Sequence, residues 1–228
     1  MRTQRGNILF LILLAIILFV ALNYAIMGQR EQMPNAIPKE KADAFAAQLA
    51  QNANLMENNM IRAMTIDSIK DYGFDFIGNS GLLGAGNANN TCTAAPCKIY
   101  ADNGGGVPSL LIPDWASTAA NTGGNRKAKF RAIQVVNVGT QADDLVLYYE
   151  FLQKDICTSI NRLANATDMN INDTTESWSG AISFAGTYTS FPVSTGVLGD
   201  QVTSISGKRT FCFQHSSGYT FVHVLIAR

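Results

Sequence analysis

The sequence predicts an α+β protein: one long N-terminal helix, membrane-spanning in its first half, packed on an antiparallel sheet of about four strands. Three observations carry this. Residues 8–22 contain no polar side chain. Residues 39–70 repeat apolar side chains at helical spacing. After residue 128, four short runs are rich in β-branched and aromatic residues and are separated by turn-forming ones.

The first element lies between arginines, in "RGNILFLILLAIILFVALNYAIMGQR". As one helix, Ile8–Met27 would be about 30 Å long, the thickness of a bilayer core. Arg2 and Arg5 precede it, which predicts the amino end inside and the rest outside. Three readings compete: a discarded signal peptide, a retained anchor, and a helix kept for assembly. A signal peptidase prefers small residues at −3 and −1. "ALNYAIMGQ" offers Ala25 with Asn23 two positions earlier, a poor site. The polar stretch 29–38 follows, and Pro34 and Pro38 predict a break, since proline lacks the backbone donor a helix needs. Pro38 can open the next helix.

From Lys39 to about Lys70, residues Ala42, Ala46, Leu49, Ala53, Met56, Met60 and Ala63 recur at spacings of three and four. The segment that follows is rich in glycine and asparagine and reads as loop. Its "DNGGGV" lacks the lysine and the strand-to-helix context of a phosphate-binding loop, and reads as a turn. "KFRAIQVVNV" and "DLVLYYEFL" predict a strand pair. Asp155–Leu163 predicts a short helix with Cys157 in its first turn. The last segment, "RTFCFQH" and "YTFVHVLIA" around "SSG", predicts a hairpin inside the sheet. Simple alternation puts Phe211, Phe213, Tyr219, Phe221 and both histidines on one face, and Cys212, Val222, Val224 and Ile226 on the other.

The chain has 228 residues, with 17 basic and 17 acidic, so its formal charge is zero. No basic stripe is present, and no nucleic-acid contact is expected. Beyond the first segment roughly 190 residues remain, enough for one domain with a core of its own. Four cysteines, Cys92, Cys97, Cys157 and Cys212, all follow the apolar stretch. An even count behind an export-type segment favours two disulfides over a metal site. Three pairings are possible; Cys92–Cys97, closing a tight loop, and Cys157–Cys212, tying distant elements, are preferred.

Chemistry is sparse. His215 and His223 have no nucleophile-elbow motif to serve, and a strand histidine among aromatics reads as a packed residue. The adjacent Asp143 and Asp144 read as solvated turn residues. Asp102, Asp168 and Asp173 fit no calcium-loop spacing, and Trp115 and Trp178 read as covers for a core edge. No enzyme activity, cofactor or metal is expected.

A short basic leader ending in Gly6, followed at once by the apolar run, resembles type IV pilins and pseudopilins. The likeness is closest to pilin-like proteins of Gram-negative bacteria. It is carried by "RGNILFLILLAIILFVALNYA" at one end, "CFQHSSGYTFVHVLIAR" at the other, and "DICTSINRLA" and "DNGGGV" between. The resemblance implies cleavage between Gly6 and Asn7 by a prepilin peptidase. It also implies assembly through Ile8, Phe10, Leu11, Leu14, Ile17 and Phe19 with further copies or other pilin subunits. Two positions depart from the pattern: Leu11 stands where pilins carry glutamate, and Asn7 where they carry Phe or Met.

The resulting organisation is a leader over 1–6, a transmembrane and assembly helix over 7–28, a proline-containing break over 29–38, and a globular α+β domain over 39–228. The expected role is structural: a pilin-like subunit in the inner membrane with its C-terminal domain in the periplasm, or in an extracellular filament. The alternative is a membrane-anchored periplasmic binding or adhesion module that never polymerises.

Overall fold

The computed structural model of the protein describes residues 12, 14–20, 37–76, 92–101, 104–119, 126–166, 182–183, 197–200, 204–215 and 218–228. The chain forms two compact units, Met1–Pro38 and Lys39–Arg228.

In the first unit residues 14–20 are helical. Among the described residues no helix is long and apolar enough to cross a membrane. This corrects two expectations, the membrane-spanning helix over 7–28 and the inner-membrane and periplasmic placement built on it. Residues 7–11, 13 and 21–28 lie outside the described residues.

The long helix that packs on the sheet is a different one, α1, Lys39–Ile66. It buries Ala42, Phe45, Ala46, Leu49, Ala53, Met56, Met60 and Ala63, one stripe at three-and-four spacing. It stops four residues before Lys70. Ser68 takes a left-handed φ of 55°, and the Ile69 N–H turns back onto the Ala63 carbonyl at 3.2 Å, closing the helix end.

The strands are β1 (Lys129–Val135), β2 (Asp144–Leu152), β3 (Ile182–Ser183), β4 (Val197–Leu198), β5 (Thr210–His215) and β6 (Gly218–Ile226). They form one six-stranded sheet in the order β3-β1-β2-β6-β5, with β4 pairing β1 off this path. The β1–β4 pair is parallel and the others are antiparallel. The sheet is therefore mixed and six-stranded, not antiparallel with about four strands. The additions are two residues each, too short to leave an alternating pattern. The terminal hairpin also does not lie wholly inside the sheet, because β5 ends the strand order.

A finer correction concerns the faces of that hairpin. Its loop is two residues, since His215 pairs with Gly218. Phe211 therefore faces Val222, and Cys212 faces Phe221. A three-residue loop would have kept odd positions opposite odd ones; one residue fewer inverts the relation between the strands. Phe211 and Phe213 thus share a core with Val222 and Val224, joined by Ile133, Val135, Val138, Val146, Tyr148, Leu198 and Ile205.

The other face carries Cys212, Phe221, Tyr149 and His223. It is covered by α1 and by a second helix, α2, Lys154–Leu163. The stacked rings of Phe76 and Phe130, 3.7 Å apart, continue this layer over β1.

Candidate functional site

Of the residues expected to serve processing and assembly, Gly6, Asn7, Ile8, Phe10 and Leu11 lie outside the described residues. Leu14, Ile17 and Phe19 are in the helical stretch 14–20 and are 44 %, 55 % and 66 % exposed. Ile16, Leu18 and Val20 are similarly open. Every direction around this helix is apolar, unlike a surface helix with one apolar stripe.

The four cysteines form two disulfides, Cys92–Cys97 and Cys157–Cys212. The second joins α2 to β5 across 55 residues of sequence. One helical turn beyond Cys157, Asn161 grips the same strand residue. Its Nδ2 donates to the Cys212 carbonyl at 2.8 Å, and its Oδ1 accepts the Cys212 N–H at 2.7 Å. Asn161 is 1 % exposed.

A buried polar cluster in the second unit centres on His223, itself 2 % exposed. Its Nε2 lies 3.0 Å from Glu57 Oε2, and its Nδ1 lies 2.7 Å from Thr210 Oγ1. Arg209 reaches Glu57 Oε1 at 2.8 Å. Because the carboxylate only accepts, Nε2 carries the proton; in the neutral ring Nδ1 then accepts from the Thr210 hydroxyl. Burial pushes the Glu57 carboxyl up, but the His223 hydrogen bond and the Arg209 and His223 charges outweigh it and hold the pKa below its ordinary value. This hydroxyl–imidazole–carboxylate chain uses the components of a nucleophilic triad. Both ring nitrogens are already engaged and the ring is buried, so it works as a joint between α1 and the sheet rather than as an open base. Reversed face assignment placed His223 with Phe211; the register places it beside Thr210. His215 is in β5, and its side chain lies outside the described residues.

Asp144 is not a solvated turn residue. It is fully buried. Its Oδ2 accepts the Val135 N–H at 3.0 Å and its Oδ1 accepts the Arg228 N–H at 2.9 Å. Burial outweighs these donors and raises its pKa from 3.8 to about 7. Asp143 is buried as well.

The glycines of "DNGGGV" are used internally. The Gly104 and Gly106 N–H groups donate to Ala101 and that of Gly105 to Lys98. A Cβ at Gly104 would come within 2.3 Å of the Lys98 carbonyl. Those donors are thus spent on the turn and are not aimed at a ligand. Trp115 meets Phe45 edge-on at 5.3 Å, with the Lys41 ammonium 3.9 Å above its ring, and so covers the end of α1. Trp178, Asp102, Asp168 and Asp173 lie outside the described residues, among which no cluster of metal-ligating side chains occurs.

No protein-family model, no curated protein and no solved structure matches this chain.

Proposed function

We propose that the chain is a structural, non-enzymatic subunit of the type IV pilin kind. In this reading a prepilin peptidase cuts after Gly6, and the apolar segment then packs against the same segment of further copies or of other pilin subunits. The observation that carries the reading is the helical stretch 14–20, apolar and exposed around its whole circumference. Such a surface favours an apolar surrounding, and burial of apolar area is the main drive to association. The compact unit Lys39–Arg228, closed by two disulfides, supports a separate globular head.

Mass spectrometry of the mature amino terminus tests the processing step. A chain beginning at Asn7 supports the reading, whereas one beginning near Ile26 makes the stretch a discarded signal. Electron microscopy of the full chain beside residues 39–228 tests assembly. Filaments from the full chain and a folded, monomeric 39–228 are expected. Filaments from 39–228 alone would overturn the mechanism.

A second reading is favoured by Asn7 and Leu11, which stand where pilins carry Phe or Met and glutamate. It makes the chain a binding module that does not polymerise. Replacing Gly6 with a bulky residue separates the two: it blocks maturation of a pilin and leaves such a module unchanged.

A further inference from the structure

We draw no further inference here: the strongest candidate, the polar cleft between the last turns of α1 and the glycine turn at residues 104–105, offers the half-buried Asn59 and the exposed Arg62 and Asp67 beside glycine N–H groups already spent on that turn, and nothing in the structure shows what would occupy it.

Discussion

The two faces of the sheet are held in different ways. Under α1 and α2 directional contacts are added to the apolar stripe of α1: a disulfide, the Asn161 pair of hydrogen bonds, and the chain from Thr210 through His223 to Glu57. On the opposite face the cluster around Phe211, Phe213, Val222 and Val224 is apolar, and Leu198 of β4 with Val138 and Ile205 completes it. The difference teaches that area and geometry do separate tasks. Apolar burial is strong but non-directional. Helices that must sit at one position on a sheet need contacts that work at one position only.

Truncation on the apolar face should have the largest effect. Phe211→Ala removes a fully buried ring and should cost about 3–5 kcal/mol, lowering the denaturant midpoint of the whole domain in one transition. A separate early transition of the helices would break the comparison. On the directional face, replacing Cys157 and Cys212 together with alanine opens a loop of 55 residues and should cost about 4 kcal/mol on the chain-entropy account. Here hydrogen exchange should rise first in α2 and β5. Uniform acceleration across β1 and β2 would show that the two faces are not independent.

Acidity acts on the two faces with opposite sign. The pKa of Asp144, opposite Ile133 in the ladder, is raised from 3.8 to about 7. The folded state then holds this proton more tightly than the unfolded chain does. Stability from this group is full below pH 4 and falls as pH rises towards 7, by on the order of 3 kcal/mol. Chemical denaturation between pH 4 and 8 should show that slope, and Asp144→Asn should flatten it. Asn161→Ala leaves the Cys212 N–H and carbonyl without their partners and should cost about 2 kcal/mol. The smallest effect belongs to Glu57, whose lowered pKa contributes stability above its unfolded value and loses it as pH falls through the folded one. Glu57→Gln should remove this acid-side loss and leave the slope above pH 4 intact.

Local pattern was legible in the sequence where it repeated. The stripe Ala42 to Ala63 announces α1, and the runs that became β1, β2, β5 and β6 carry strand composition. The cysteine count indicated two disulfides and left three pairings open; the preferred one, Cys92–Cys97 and Cys157–Cys212, is the one formed. What the sequence hid depends on single residues or on distance. One residue in the His215–Gly218 loop decides which face of β6 meets Phe211. β3 and β4 are too short to repeat anything. Asp144 looks like a turn acid until the Val135 and Arg228 N–H groups converge on it. Glu57 and His223 meet across 166 positions, and no local rule links them.

Cys212 lies on the outermost strand, and in its pairing with Phe221 its own N–H and C=O point away from β6. An open strand rim of this kind is where foreign strands add and where fibrils begin. Asn161 supplies there the same donor and acceptor that a neighbouring strand would, and the Cys157 tether holds it in place. The sheet is stoppered at the middle of β5 by a side chain. In reducing surroundings the tether opens, and the stopper is held by its two hydrogen bonds and by the seat of α2, whose Ile156 and Ile160 are buried and whose Ser159 hydroxyl donates to Asp43 at 2.6 Å.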